Sequence, residues 1–217
     1  MHNQSVEDYI KSIYKLRKKG KTVSTSELAT HLDVKDGSVT DMIKRLSLKG
    51  LLRYTPYQGV KLTKEGERLA VTLMRRHRLW EMFLVKFLSY TWDEVHDEAE
   101  KFEHVISDEM ERRLDKALGY PKVDPHGDPI PTAQGKLEAQ ANTSLGEFNA
   151  GDKVRILRVS DRDPEVLQHA SKLGLVLHAK VIVKEKMQFD GSMIVKVKNK
   201  QRFISRHVAN SIFVQAV

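Results

Sequence analysis

The chain has 217 residues and no cysteine, which excludes disulfides, cysteine-ligated zinc and a thiol nucleophile. No run of about 18 apolar residues occurs, so no membrane-spanning helix is expected. Net charge is +8, with Lys+Arg against Asp+Glu at 16 against 8 over residues 1–76, 8 against 14 over 77–146, and 13 against 7 over 147–217. A basic amino-terminal segment suits a polyanionic partner, and an acidic middle suits cations.

Met1–Ser5 lead directly into a predicted helix with no visible secretion signal, so a cytoplasmic protein is expected. Val6, Ile10, Ile13 and Tyr14 give that first helix, which the Arg17–Lys21 charge run with Gly20 should end. Ser24-Thr25-Ser26-Glu27 reads as a capping box for a short helix through Leu28, Ala29 and Leu32. Asp36 is placed to cap a third helix carrying Val39, Met42, Ile43 and Leu46. Two strand-like runs follow, Leu51–Tyr54 and Val60–Thr63, joined by Thr55–Gly59. Helix-turn-helix followed by a hairpin is the order of a winged helix, whose third helix enters the DNA major groove. Ser38, Thr40 and Asp41 are candidates for base contacts. Lys44, Arg45 and Lys49 are candidates for phosphates, with Tyr57 and Gln58 on the wing.

A long helix is predicted from Lys64 to Leu88 and a second from about Trp92 to Leu118, opened by Thr91-Trp92-Asp93-Glu94 as a capping box. Positions three or four apart share a helical face, so His96, Glu100, Glu103 and His104 should project from one side. His77 and Glu81 form a second such pair on the preceding helix. Imidazoles and carboxylates converging from two helices describe a divalent metal site; the plainer alternative is a solvated charged face. The apolar stripes of the two helices exceed what one helix pair can cover, which suggests a homodimer. Residues 120–132 hold Pro121, Pro125, Pro129 and Pro131 and should be irregular, and Lys136–Ser144 reads as a linker. From Gly146 the period changes to two, with Val154/Ile156, Val181/Val183 and Ile194/Val195/Val197 as strands and a helix over Pro164–Leu173. The expected fold is therefore mainly α with small β elements. It comprises a winged helix-turn-helix over 1–75, a helical metal-binding and dimerisation domain over 76–143, and an SH3-like small β-barrel over 147–217.

Several segments together carry a resemblance: Glu7-Asp8-Tyr9-Ile10, the 24–49 helix-turn-helix, Arg75–Glu81, His96–Glu100 with Glu103-His104, Ser107-Asp108-Glu109, Glu111–Leu114 and Pro125-His126-Gly127. The chain resembles the diphtheria toxin repressor family of metal-dependent transcriptional regulators, in its manganese-responsive branch, over nearly the full length. That resemblance implies a primary effector site of Asp8, Glu100, Glu103 and His104. It implies an ancillary site of His77, Glu81 and His96, completed from Asp124, His126, Asp161 and Asp163. Two-domain manganese regulators carry a carboxylate where this chain has Lys11, so separated sites are expected rather than a coupled binuclear cluster. The resemblance further implies Mn2+ as effector, with Fe2+, Co2+ or Zn2+ as substitutes in vitro. The implied partners are double-stranded operator DNA and a second copy of the chain, with no membrane and no small organic substrate. A di-metal carboxylate enzyme is the alternative from another class. It needs paired Glu-x-x-His motifs, and Lys101 stands three before His104 while Leu84 stands three after Glu81.

Overall fold

The computed structural model describes residues 4–17 and 22–217, so the expected end of the first helix, from Lys18 to Lys21, lies outside the described residues. The chain divides into two compact units. The first comprises Met1–His77, Lys101–Ser107 and Pro131–Lys136; the second comprises Arg78–Glu100, Asp108–Ile130 and Leu137–Val217.

In the first unit, α1 (Gln4–Leu16) buries Val6, Ile10 and Ile13 on one face. α2 (Thr25–Leu32) opens on the expected reciprocal box: the Glu27 amide donates to Ser24 Oγ, and the Ser24 amide to Glu27 Oε2. Such a cap stabilises a helix by about 1 kcal/mol. α3 (Asp36–Leu48) turns Val39, Ile43 and Leu46 inward. Asp36 is its first residue rather than its cap; Lys35 holds that position without a side-chain hydrogen bond. β1 (Leu52–Thr55) and β2 (Gly59–Leu62) pair antiparallel, and Val23 bridges to Val60. Gly59 has φ 94°, and a Cβ there would lie 2.4 Å from the Val23 carbonyl oxygen, so this close approach of backbones needs glycine. The three helices and the hairpin share one core, in which each fully buried Val, Leu or Ile stabilises by about 1.5–3 kcal/mol.

α4 (Lys64–Leu88) has the predicted bounds, and its second half belongs to the second unit. The expected single helix from Trp92 to Leu118 is two helices: α5 (Val95–Phe102) and α6 (Asp108–Leu118). Thr91 donates from its amide and hydroxyl to Glu94 Oε2, closing a turn before the helix rather than opening the helix itself. At the far end, adjacent β-branched Val105 and Ile106 disfavour helix, and Ser107-Asp108-Glu109 has the character of a fresh helix start. Residues 103–107 are therefore a turn and short connection.

The carboxy-terminal part of the second unit is a five-stranded antiparallel sheet in the order β6-β5-β4-β3-β7. Its elements are β3 (Lys153–Val159), α7 (Pro164–Leu173), β4 (Lys180–Lys186), β5 (Met193–Val197), β6 (Lys200–Ile204), α8 (Arg206–Ser211) and β7 (Ile212–Ala216). Alternate residues Val154/Ile156, Val181/Val183 and Val195/Val197 fill its core with Leu167 and Ala170 of α7. The first three strands and α7 follow the predicted pattern. The last three elements go beyond it, because β6 carries a single buried residue, Ile204, and so shows no alternation. No helix among the described residues is long and apolar enough to cross a membrane.

Candidate metal centres and DNA-reading face

Asp8, Glu103 and His104 come together in the first unit, from α1 and the turn after α5. His104 is held from both sides. Its Nδ1 lies 2.6 Å from Glu7 Oε2, while its Nε2 lies 3.0 Å from Asp8 Oδ1 and 3.4 Å from Glu103 Oε1. Despite those distances Nε2 is buried and makes no hydrogen bond. A carboxylate engaging one imidazole nitrogen while the other faces further oxygens is the arrangement around a protein-bound divalent cation. The donor set is two carboxylates and one imidazole, which fits such an ion. Glu103 is fully buried: Lys11 Nζ lies 2.7 Å from each of its oxygens and His77 Nδ1 lies 2.6 Å from Oε2. Burial alone would raise its carboxyl. The His77 hydrogen bond and the Lys11 charge outweigh burial and hold it below the usual carboxylate range.

One expectation changes here. Glu103 and His104 do not share a helical face with His96 and Glu100, because α5 has already ended at Phe102. Glu100 remains half-buried on α5 in the other unit and is not one of the three clustered residues. His77, expected in the ancillary site, places its Nδ1 2.6 Å from Glu103 Oε2, which leaves its other ring nitrogen for a ligand role. Glu7 was not foreseen as a site residue. The signal was its spacing: Glu7 and Lys11 are four apart on α1, both polar and both buried beside an apolar stripe.

A second cluster, Glu81, Asp124 and His126, lies in the second unit and is fully buried. His126 Nε2 lies 2.6 Å from the Trp92 carbonyl oxygen. Its Nδ1 has no hydrogen bond and lies 3.8 Å from both Glu81 Oε2 and Asp124 Oδ1. A buried, unbonded ring nitrogen between two carboxylates again fits a cation ligand. Burial alone would lower His126; the charges of Glu81 and Asp124 outweigh it and raise the imidazole. Burial, Glu81 and Asp128 push Asp124 up to about 7. His96 Nδ1 stands 3.5 Å from Glu81 Oε1 and 3.8 Å from Asp161 Oδ2.

Asp124 also organises its loop. Its Oδ1 accepts the amides of His126 and Asp128, and its Oδ2 faces Arg78 at 3.4 Å. Gly127 has φ 93°, and a Cβ there would lie 2.1 Å from the Leu157 carbonyl oxygen, so the loop is pressed against β3. Asp163, an expected candidate ligand, is the N-cap of α7, accepting the amides of Glu165 and Val166, and it pairs with His207 at 3.1 Å.

On α3, Ser38, Asp41, Lys44 and Arg45 are exposed, as is Lys49 at its end. Thr40 is half-buried, and its hydroxyl donates to the Asp36 carbonyl. Tyr57 and Gln58 are exposed at the hairpin tip, where Tyr57 takes φ 64° and the Gln58 carbonyl accepts from Thr22 Oγ1.

Three family descriptions match successive parts of the chain. They are the iron dependent repressor N-terminal DNA binding domain over residues 1–60, the iron dependent repressor metal binding and dimerisation domain over 63–132, and the FeoA domain over 143–216. The iron-dependent repressor IdeR of Mycobacterium tuberculosis (strain ATCC 25618 / H37Rv) is 33% identical over 195 residues, covering 90% of this chain and 78% of that protein. A manganese-dependent transcriptional repressor solved in complex with manganese superposes with a TM-score of 0.87 at 36% identity, covering 98% of this chain and 100% of that one. The manganese regulator SloR superposes with a TM-score of 0.77 at 34% identity over 98% of both chains. These relatives are repressors rather than enzymes, which sets aside the di-metal enzyme. With an amino-terminal DNA-binding domain, a helical dimerisation domain and a carboxy-terminal SH3-like FeoA sheet, the chain belongs to the diphtheria toxin repressor family and is a metal-dependent transcriptional repressor.

Proposed function

We propose that this is a manganese-responsive, cytoplasmic repressor that binds double-stranded operator DNA as a homodimer and controls metal-uptake genes. Asp8, Glu103 and His104 hold the effector ion. The observation that carries this reading is His104 Nε2, buried without a hydrogen bond beside oxygens of both Asp8 and Glu103. A bound divalent cation supplies the positive charge that lets these oxygens share one space with a neutral imidazole. Asp8 sits on α1, whose Val6, Ile10 and Ile13 share a core with α2 and α3. Fixing α1 to the 103–107 turn therefore orders the DNA-reading unit, and the ordering is the coupling between effector and operator. Lys44, Arg45 and Lys49 contact phosphates, and Ser38 and Asp41 read base edges.

Exposed Phe87, Leu88, Tyr90, Met110 and Tyr120 in the second unit support the homodimer, together with the dimerisation domain matched over 63–132. Glu81, Asp124 and His126, with His96 and Asp161 alongside, hold a second, stabilising ion. The domain bounds follow the reading from sequence: 1–75 for DNA, 76–143 for metal and dimer, 147–217 for modulation.

Manganese is favoured by the hard oxygens of Asp8 and Glu103 with a single imidazole. Iron is the second reading, because the curated relatives are named iron-dependent repressors. Operator binding titrated separately with Mn2+, Fe2+, Co2+ and Zn2+ decides between them. Manganese should activate at the lowest physiological free concentration, and zinc, which prefers four ligands, should bind without full activation. Activation by Fe2+ alone would assign the protein to iron.

A further inference from the structure

We propose that Lys11 is a built-in competitor for the effector cation: its ammonium occupies Glu103 and thereby sets the metal concentration at which the repressor responds. The inference rests on the effector-site reading above.

Lys11 is 4% exposed, a rare placement for lysine, and its Nζ lies 2.7 Å from both Oε1 and Oε2 of Glu103, which is itself fully buried. Glu103 Oε1 is also the oxygen 3.4 Å from His104 Nε2. The ammonium and an ion held by Asp8, Glu103 and His104 therefore draw on the same oxygen. A buried ammonium is an internal cation. It compensates Glu103 without a metal, and it repels a second positive charge a few ångströms away in a poorly screened interior.

Glu103 does not depend on Lys11 for its position. His77 Nδ1 holds Oε2 at 2.6 Å, and Arg75, two residues before His77 on α4, is itself tied to the Pro131 carbonyl at 2.7 Å. Removing the ammonium should leave the carboxylate in place and available. Lys11 thus weakens the site in proportion to the charge it brings, and a purely structural lysine would do the opposite: its loss would release Glu103 and weaken metal binding. The acidic surroundings sharpen the contrast. Glu7, Asp8 and Glu103 place three carboxylates around His104, and Lys11 is the lysine placed against them.

The test uses the full chain with Glu81→Gln in every sample, so that the second cluster does not contribute, and reads free Mn2+ by electron paramagnetic resonance. Lys11→Met, which keeps the apolar stem, should tighten Mn2+ binding by at least about tenfold. Lys11→Arg, which keeps the charge, should bind as the parent does. Lys11→Gln, which can still hydrogen-bond Glu103, guards against misfolding of the methionine variant and should also tighten. The gain in melting temperature on adding Mn2+ should rise in both neutral variants. Equal or weaker Mn2+ binding by folded Lys11→Met and Lys11→Gln overturns the proposal while leaving the effector site standing. Unchanged Mn2+ binding in His104→Ala would remove the effector site itself, and this inference with it.

Discussion

The two clusters differ in how the chain assembles them. Glu7, Asp8 and Lys11 are separated from Glu103 and His104 by more than 90 residues, and their side chains join α1 to a turn. In the cluster of Glu81, Asp124 and His126, Glu81 sits on α4, and the other two sit on a loop closed by its own backbone. Asp124 and Asp128 bond each other, the Val159 amide bonds the His126 carbonyl, and Arg78 holds the Pro129 carbonyl at 2.5 Å. The first arrangement depends on side chains from two distant segments; in the second, two of the three residues are braced by backbone hydrogen bonds. An ion in the first should act as a switch, and an ion in the second as a fastener.

The largest effect that follows is on the switch. His104→Ala should leave a folded dimer whose operator affinity no longer responds to metal, a loss of about 100-fold at saturating Mn2+. Fluorescence anisotropy on labelled operator measures it, and a response close to that of the parent would erase the distinction between the clusters. Glu7→Gln should come next. Glu7 fixes the His104 ring by engaging Nδ1, and removing such a support costs about tenfold in metal affinity. Mn2+ titration of the variant tests it, with unchanged affinity as the contrary result. The fastener should behave differently. Glu81→Gln should lower the metal-dependent melting temperature by about 2–4 °C for each kcal/mol lost, with less than about tenfold change in operator affinity at saturating Mn2+. A larger loss of operator affinity than in His104→Ala would reverse the assignment of roles. The smallest effect belongs to the reading face: Lys49→Ala should weaken all sequences alike and reduce the salt slope of binding by about one.

Much of this architecture was legible from periodicity. α4 and α7 fall on their predicted bounds because apolar spacing and flanking residues agree, with Asp163 and Pro164 opening α7 and Gly174 closing it. The break between α5 and α6 was not legible, because Phe102 and Ile106 keep helical spacing across a turn. That break takes Glu103 and His104 off the helix that carries Glu100. Asp8 entered through family resemblance alone; nothing local in α1 marks a ligand. Glu7 and Lys11 were hidden for a related reason. Buried charges stand out only when their partners are known, and those partners are about 90 residues away. Asp163 has a cap role that the ligand reading did not include, because an acidic residue before Pro164 serves a helix cap as readily as a metal.

The central claim is that metal held by Asp8, Glu103 and His104 governs operator binding. Its most direct test is operator affinity of the parent and of His104→Ala, each measured in chelator and in saturating Mn2+ on the same selected duplex. The account predicts that Mn2+ tightens the parent strongly and leaves His104→Ala at the chelated level. Full operator affinity of the parent in chelator would contradict it.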